Sequence, residues 1–281
     1  MTSAEVDSRP NAYTLSDKDF RFICKFVYDT TGIVLDDRKR EMVYRRLMRL
    51  TRDKKLGSFS EYLKLLTSSE EELPNFINAI TTNLTSFFRE KHHFEFLKQE
   101  VFPQLLANPE RRRLRIWSAG CSTGEEPYSI AITVKEGMGS HLSAWDTKIL
   151  ATDLDSDVVA HATAGIYKTD RIDGLDKQVI KSWFKRNANN TAVKMSPELA
   201  ELITFKQLNL FEEWPMKGPF DVIFCRNVVI YFDKPTQQKL FQNFHNLLKP
   251  NGYLIIGHSE GLGEMQAHFS SKGKTIFQKK T

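Results

Sequence analysis

The stretch that decides the fold is Ile116-Trp-Ser-Ala-Gly-Cys-Ser-Thr-Gly-Glu-Glu-Pro-Tyr-Ser-Ile130. A short β-prone run gives way to small residues with two glycines, and then to two acids, a proline and a helical pattern. Glycines in this position let the backbone approach a ligand closely at the carboxyl end of a strand. The order of strand, glycine loop and helix therefore predicts a nucleoside site at the edge of a sheet.

A second strand-like run, Ile149-Leu-Ala-Thr-Asp-Leu-Asp155, ends in two acids, where a ribose diol is usually bound. One of these acids, taken alone, could instead be a helix N-cap. The first loop is not Gly-x-Gly-x-x-Gly, and its acids Glu125 and Glu126 would repel a pyrophosphate. We therefore expect a nucleoside with a cationic or zwitterionic tail, and S-adenosyl-L-methionine fits that description.

From Arg113 onward the chain alternates strand and helix patterns, which predicts a mostly parallel sheet with helices on both faces. The segment Phe269–Gln278 is expected to form an edge hairpin. Residues 165–200 or so interrupt the alternation, and we interpret them as a small inserted β-subdomain. The predicted strands are Leu114–Ser118, Lys148–Thr152, Ile203–Gln207, Val222–Cys225 and Gly252–Gly257.

Before this region the patterns are helical. Residues 1–12 are expected to be a flexible tail, 13–90 an all-helical N-terminal domain, and 91–281 the sheet domain. Ser16-Asp-Lys-Asp19 resembles a capping box, and Thr31-Gly32 closes the first helix.

Composition narrows the class of protein. The chain has 281 residues, is 41% hydrophobic and 27% charged, and has three widely spaced cysteines. It contains no apolar run of the ~20 residues that a membrane helix needs, and no signal-like apolar core at its start. We therefore expect reduced thiols, a cytoplasmic location and no insertion into a membrane.

The basic charge is local. Residues 36–55 hold nine basic and four acidic side chains, a net charge of +5, which equals that of the whole chain. The helical pattern puts arginines outward, so this helix could contact an acidic partner or could simply be a solvated face. A nucleic-acid surface is disfavoured, because Tyr44 is at most the single exposed aromatic residue.

A third element is Gly218–Phe232, in which a buried strand ends in Arg226-Asn227. The apolar run Val228-Val-Ile-Tyr-Phe is too apolar for a free loop, so the polar pair is expected to be held in place. Enzymes that methylate amino groups of nucleic-acid bases commonly carry an Asn/Asp-Pro-Pro-Tyr-like cluster here. This chain has no prolines there, which argues against base N-methylation.

Three blocks closely resemble the CheR-type chemotaxis receptor methyltransferases: Thr81–Glu90, Ser118–Ser129 and Ile223–Asp233. The resemblance runs from about Asp17 to Gln278. It implies a class I S-adenosylmethionine-dependent methyltransferase domain, Rossmann-like, with a small inserted β-subdomain, preceded by an all-helical domain. It also implies methylation of receptor glutamates, with S-adenosyl-L-homocysteine as the second product.

The resemblance also implies residue roles. Arg89 and Tyr231 would act at the transfer site. An acid-rich helical region in the cytoplasmic part of methyl-accepting receptors would bind the basic helix through Arg38, Arg45, Arg46, Arg49 and Arg52. The cofactor would be held by Asn83, Thr85, Arg89, Glu126, Asp153, Asn209, Leu210, Arg226 and Asn227.

Some family members dock a receptor's C-terminal pentapeptide on a glycine-containing loop of the subdomain. The turn here, Lys185–Ala192, has no glycine, so we expect direct receptor recognition without the tether. His92 and His93 lack a metal-ligand pattern and are interpreted as helix-surface residues, and no metal is predicted. The alternative functions are a methyltransferase of the same fold with another substrate, and a non-catalytic adaptor that binds S-adenosylmethionine.

Overall fold

The computed structural model describes residues 13–108 and 112–281, and the chain divides into two compact units, Met1–Thr81 and Thr82–Thr281. The predicted tail, residues 1–12, lies outside the described residues. The boundary falls earlier than the predicted one after residue 90. The reason is that Asn83 and Phe88 hydrogen-bond to Asp155 and Ser129 of the second unit, so the segment after Thr81 belongs to that unit.

The described part of the first unit is helical, as predicted. The Ser16 hydroxyl accepts a hydrogen bond from Asp19 N (3.1 Å) and caps the first helix. Gly32, at φ 73°, ends that helix by donating its N–H to Tyr28 O (2.8 Å). The helices are α1 (Asp17–Thr31), α2 (Arg40–Asp53), α3 (Phe59–Ser68) and α4 (Glu72–Ile80).

One apolar face of each helix packs into the core of this unit. Ile23, Val43, Leu47, Tyr62 and Phe76 are fully buried there. Within α2, Val43 and Leu47 are four residues apart, which is the helical spacing that the sequence pattern predicts. The exposed face of α2 is correspondingly left for its charged side chains.

The second unit contains a seven-stranded sheet and a small three-stranded sheet. The described strands are β1 (Arg113–Ala119), β2 (Asp146–Asp153), β3 (Ile166–Lys168), β4 (Phe184–Arg186), β5 (Ala192–Met195), β6 (Ile203–Gln207), β7 (Phe220–Cys225), β8 (Leu248–Ile256), β9 (Phe269–Ser271) and β10 (Ile276–Lys279). The large sheet has the order β6-β2-β1-β7-β8-β10-β9, and the small antiparallel sheet has the order β3-β5-β4. The first five strands in the order of the large sheet pair in parallel, and β10 and β9 add an antiparallel edge hairpin, as predicted.

Two apolar layers cover the two faces of the large sheet. Ile116 and Phe224 belong to one cluster, and Trp117 and Ile223 to the other, because successive strand residues point to opposite faces. Helices cover both layers, and a π-helical turn (Leu97–Val101) joins the first two of them. The helices are α5 (His92–Phe96), α6 (Phe102–Leu106), α7 (Glu125–Met138), α8 (Ser156–Ala164), α9 (Lys177–Trp183), α10 (Pro197–Ala200) and α11 (Lys234–Leu247).

The inserted subdomain is the three-stranded sheet together with α9. The predicted insertion thus consists of α9, β5 and the strands β3 and β4, each of three residues. Phe87 fixes the subdomain to the rest of the unit: its ring lies 5.0 Å from that of Tyr167 and 5.2 Å from that of Phe184, both edge-on. In the described ranges, no helix has the length and apolar character that crossing a membrane requires.

Gly124 supports a stability prediction. It lies at φ 98°, and a Cβ added there would sit 2.7 Å from Ala162 Cβ and 2.8 Å from Tyr167 Oη. Gly124→Ala therefore combines left-handed strain with overpacking, and we expect a loss of about 2–4 kcal/mol in the free energy of unfolding. Urea denaturation followed by circular dichroism measures it.

Gly174 provides the matched control. It also has positive φ (83°), but an added Cβ would meet nothing within 4 Å. Gly174→Ala should therefore lose only the conformational part, about 1 kcal/mol. Equal losses in the two variants would contradict the close packing described at Gly124.

Candidate functional site

The carboxyl ends of the three neighbouring strands β2, β1 and β7 meet at one edge of the large sheet. The loop after β1 and the loop after β7 are in contact at Gly120 and Val228. Gly120 lies at φ 90°, and a Cβ there would come within 2.3 Å of Val228 Cγ2. The first glycine of the deciding stretch is therefore required both by its conformation and by the approach of the neighbouring loop.

The two acids after β2 organise the loop after β1. Asp153 accepts hydrogen bonds from Ser122 N at Oδ2 (2.7 Å) and from Asp155 N at Oδ1 (3.1 Å). Asp155 is the N-cap of α8, as one alternative held, and its Oδ2 also accepts from Asn83 Nδ2 (2.7 Å). Since Ser122 Oγ donates to Asn83 O (2.9 Å), three predicted site segments are joined here.

Arg226 lies at the centre of a buried ionic cluster. Its Nη1 donates to Glu126 Oε2 (3.0 Å), while Nη2 donates to Arg89 O and lies 3.3 Å from Glu90 Oε1. Glu126 also accepts from Ser118 Oγ at Oε1 (2.7 Å). The structure thus brings predicted residues Arg89, Glu126 and Arg226 together, with both carboxylate oxygens of Glu126 already engaged.

The backbone after β7 is held by an acid that the sequence analysis did not select. Glu260 accepts from the N–H groups of Asn227 (2.9 Å), Val228 (3.0 Å) and Gly257 (2.6 Å). These bonds hold Asn227 at φ 59°, a conformation that asparagine tolerates. Tyr231, half-buried, follows in a short 3-10 turn.

Asn209 and Leu210 follow β6, next to β2 in the sheet. Leu208 N donates to Asp153 O (2.8 Å), so this loop lies against the end of β2. Asn209 Oδ1 accepts from Phe211 N (3.1 Å), and Leu210 is buried. These two predicted cofactor residues therefore share an edge of the sheet with Asp153.

Arg171 of the inserted subdomain connects the start of α7 to the segment that contains Thr85. Arg171 donates to Glu125 Oε1 through Nη2 and through Nε (3.2 Å), and its Nη2 also donates to Thr85 O (2.7 Å). Arg89 Nη1 donates to Leu84 O (3.0 Å) within the same segment. The sequence analysis missed Arg171, because its partners are distant in the chain.

The electrostatics of this network favour a cation. Burial raises the pKa of Asp153 to about 6, and it also raises the pKa values of Glu126 and Glu260. Carboxylates outnumber guanidinium groups among the residues just described: Glu90, Glu125, Glu126, Asp153, Asp155 and Glu260 against Arg89, Arg171 and Arg226. This excess of carboxylates fits a ligand with a cationic tail better than it fits a pyrophosphate.

The cysteines of this unit have no place in such chemistry. Cys121 and Cys225 are buried free thiols, and burial raises the pKa of each well above its usual value. A thiol with a raised pKa is a poor nucleophile at neutral pH.

The interpretation of His93 as a helix-surface residue was wrong. Its side chain is fully buried, and its Nε2 lies 2.9 Å from Lys274 O. Helical periodicity from Phe94 onward does not show that β10 and the turn before it pack over the start of α5. His92 is half-buried beside it.

The predicted receptor-binding arginines separate into two groups in the first unit. Arg46 is half-buried, and its Nη1 donates to Ile80 O and to Thr81 O (2.7 Å), so it caps the end of α4 and its predicted outward position was wrong. The side chains that remain exposed are Arg38, Arg45, Arg49 and Arg52. Arg45 and Arg49 pair with Glu41 (2.7 Å) and Asp53 (3.7 Å) on the surface of α2.

Comparison with known proteins agrees with this organisation. The family model described as "CheR methyltransferase, SAM binding domain" matches residues 83–277, and the one described as "CheR methyltransferase, all-alpha domain" matches residues 18–81. The matched ranges meet within two residues of the division between the compact units.

Relatives named "Chemotaxis protein methyltransferase" are similar over nearly their whole length. The protein of Salmonella typhimurium is 44% identical over 94% of this chain and 90% of its own. That of Escherichia coli is 44% identical over 94% and 91%, and the second such protein of Pseudomonas aeruginosa is 43% identical over 92% of each chain. This chain therefore belongs to the CheR methyltransferase family and carries both its all-helical and its S-adenosylmethionine-binding domain.

Proposed function

We propose that the protein transfers the methyl group of S-adenosylmethionine to glutamate side chains of chemotaxis receptors. The products would be glutamyl γ-methyl esters and S-adenosylhomocysteine. The observation that carries the proposal is the hydrogen-bonded cluster at the carboxyl edge of the sheet. Three predicted cofactor residues are fixed there: Asn83 by Asp155, Asp153 by the N–H of Ser122, and Arg226 by the carbonyl of Arg89. The names of the relatives supply the substrate class, since each is a chemotaxis protein methyltransferase.

The residues present fit this cofactor. The ribose hydroxyls would hydrogen-bond to the Asp153 carboxylate, and the adenine would lie beside Asn209 and Leu210. The acid-rich segment around Glu126 would accept the positively charged methionine end. The sulfonium of the bound cofactor supplies an electrophilic methyl group. Gly120, without a Cβ, lets the loop after β7 pack against the loop after β1 at the edge where the ligand would bind.

The chemistry requires little from acid or base groups. A glutamate with pKa ~4.3 is already ionised at neutral pH, so no general base is needed. The site carboxylates are engaged in positioning instead: Asp153 and Glu260 accept backbone N–H groups, and Glu126 accepts from Ser118 and Arg226. Attack by a carboxylate on a sulfonium cancels charge, so water would stabilise the reactants more than the transition state. The contribution of the protein is therefore alignment and exclusion of water.

Arg89 and Tyr231 are proposed to orient the reacting groups. Arg89 is anchored at both ends: its carbonyl accepts from Arg226 and its Nη1 donates to Leu84 O (3.0 Å). The guanidinium has further donors that could guide a carboxylate. A tight ion pair would make the nucleophile less reactive, so we assign Arg89 to positioning. Tyr231 could orient the incoming carboxylate with its hydroxyl.

Receptor recognition is proposed to use α2. Exposed ion pairs such as Arg45–Glu41 contribute little to stability, so their arginines can exchange an internal partner for an external carboxylate at small cost. An acid-rich helix of the receptor's cytoplasmic region has the complementary charge. Arg46 is excluded from this role because its guanidinium is used to cap α4.

We also infer that the pentapeptide tether is not used. The β4–β5 turn is closed on itself: Asn187 Oδ1 accepts from Thr191 N (2.9 Å) and from Ala192 N (3.1 Å), and Asn187 N donates to Ala192 O (3.0 Å). A turn whose polar groups are satisfied internally offers few groups to an added peptide strand.

A methyl-transfer assay tests the proposed function. Labelled S-adenosylmethionine, the protein and receptor-rich membranes should give labelled receptor whose label mild alkali releases, because methyl esters hydrolyse readily. Label that survives alkali would indicate N-methylation and thus a methyltransferase of the same fold acting on another group. Binding of the cofactor without transfer would favour the adaptor.

Arg89→Ala should lower the rate of transfer by at least about 100-fold, because the carboxylate loses its alignment. Arg89→Lys keeps the charge but loses the planar arrangement of N–H donors, so its rate of transfer should lie between those of Arg89→Ala and the wild type. Initial rates at saturating receptor measure the effect, with circular dichroism to check the fold. Arg113→Ala, an exposed arginine of β1, serves as control. Near-normal activity of Arg89→Ala would remove this residue from the site.

Reversing the exposed charge of α2 should weaken receptor binding and not chemistry. In the triple variant Arg45→Glu, Arg49→Glu, Arg52→Glu, the KM for receptor should rise about tenfold or more while kcat stays constant, and its dependence on salt should flatten. A charge-matched control replaces three other exposed basic side chains, on α1, by glutamate: Lys18, Arg21 and Lys25. An equal rise of KM in the control would mean that net charge, and not the α2 surface, governs binding.

A further inference from the structure

Three side chains at the start of α5 converge without being explained by methyl transfer. Glu90, His92 and His93 each offer one nitrogen or oxygen atom that could bind a metal ion, and these atoms lie within 4.8 Å of one another. His93 is fully buried, and Glu90 and His92 are half-buried. The cluster combines two imidazoles and one carboxylate.

The hydrogen bonds of His93 decide which ring nitrogen is available. Nε2 lies 2.9 Å from Lys274 O, which can only accept, so Nε2 carries the proton and donates. In a neutral imidazole whose Nε2 carries the proton, Nδ1 is left with a lone pair. A backbone carbonyl that orients a histidine through its other nitrogen is the usual arrangement behind a metal ligand.

The lone pair of His93 Nδ1 faces another acceptor. It lies 3.8 Å from Glu90 Oε2, and both atoms are buried without a hydrogen-bond partner among the described residues. Two acceptors that face each other repel, and each unsatisfied buried atom is costly. A cation between them, or a donor such as water, removes both penalties.

The charge of the surroundings permits a cation. Arg226 lies nearby, with Nη2 3.3 Å from Glu90 Oε1, but its charge is shared with Glu126 (3.0 Å from Nη1). Two carboxylates therefore face one guanidinium, and the imidazole of His258 also contacts the cluster, with its Nδ1 3.5 Å from Glu90 Oε1. Glu90 Oε1 can stay with Arg226 while Oε2 binds the ion.

We propose that Glu90, His92 and His93 form a site for a divalent transition-metal ion of the Zn²⁺ class. Two imidazole nitrogens and one carboxylate oxygen are ligands typical of Zn²⁺, Co²⁺ and Ni²⁺. Metal–ligand bonds of about 2.0–2.2 Å with tetrahedral angles put ligand atoms roughly 3.3 Å apart. Nδ1 and Oε2, at 3.8 Å, therefore need to close by about half an ångström, and the pairs separated by up to 4.8 Å by up to about 1.5 Å.

The ion has a route to the site and a structural consequence. His92 lines a groove of ≈490 Å³ that also contains Glu95, Lys272 and Lys274, so the cluster opens to solvent on this side. His93 is bonded to the carbonyl of Lys274, just before β10. A bound ion would therefore fix the start of α5 against the edge hairpin.

The test uses the full-length protein without a histidine tag, stripped of metal. Zn²⁺ alone is titrated by calorimetry, and Co²⁺ alone is followed by its visible absorption, which reports coordination by the protein. We expect one ion per chain and a stabilised thermal transition. His92→Ala and Glu90→Gln should each weaken binding at least about tenfold. His161→Ala, which removes an exposed histidine of α8, should bind as the wild type does.

Two outcomes overturn the proposal. If neither ion binds, water or another donor satisfies the two acceptors. If His92→Ala and Glu90→Gln bind as tightly as the wild type, the ion lies at another histidine. His92 is half-exposed, so its variant should keep the fold, and circular dichroism checks this. His93→Gln provides a second test of the buried ligand, with the folded fraction measured by the same method.

Discussion

The buried guanidinium of Arg226 is the interaction on which the site depends. A charge removed from water is costly unless it is paired and hydrogen-bonded. Arg226 meets that condition only when the end of β7, the first turn of α7 and the segment Arg89–Glu90 come together around it. One desolvated charge thus fixes three regions that are far apart in the chain, and the predicted cofactor residues lie on these regions or next to them.

Close backbone approach supplies the second constraint. Gly120 is met by Val228, and Gly257 by Asn227, so the loops after β1, β7 and β8 are pressed together where a side chain would separate them. Glu260 then binds the N–H groups that this packing exposes. The acids of the deciding stretch therefore work together with acids from later loops, and the glycines make room for both.

The sequence predicted what local patterns encode. Period-two and period-3.6 hydrophobic repeats gave the helices of the first unit and the parallel strands of the second, and the confirmed edge hairpin follows from the same rule. Strands of three residues, such as β3 and β4, carry too little pattern to be recognised. Arg46, His93 and Arg171 were misplaced or missed for another reason: their partners are 34, 181 and 46 residues away along the chain, and no local period reports such contacts.

The resemblance to the family predicted which residues bind the cofactor, and the hydrogen bonds in the structure indicate what two of them, Glu126 and Asp153, do. Glu126 was predicted as a cofactor ligand, yet both its oxygens are occupied by Ser118 and Arg226, and Asp153 is likewise bonded to two backbone N–H groups. A carboxylate whose oxygens already accept hydrogen bonds contributes little to proton transfer. It contributes instead a negative charge that is held in a fixed position. For the proposed transfer to a glutamate that arrives ionised, a rigid frame of this kind is what catalysis would need, and the catalytic contribution of this chain would then lie in the hydrogen bonds that hold its acids in place.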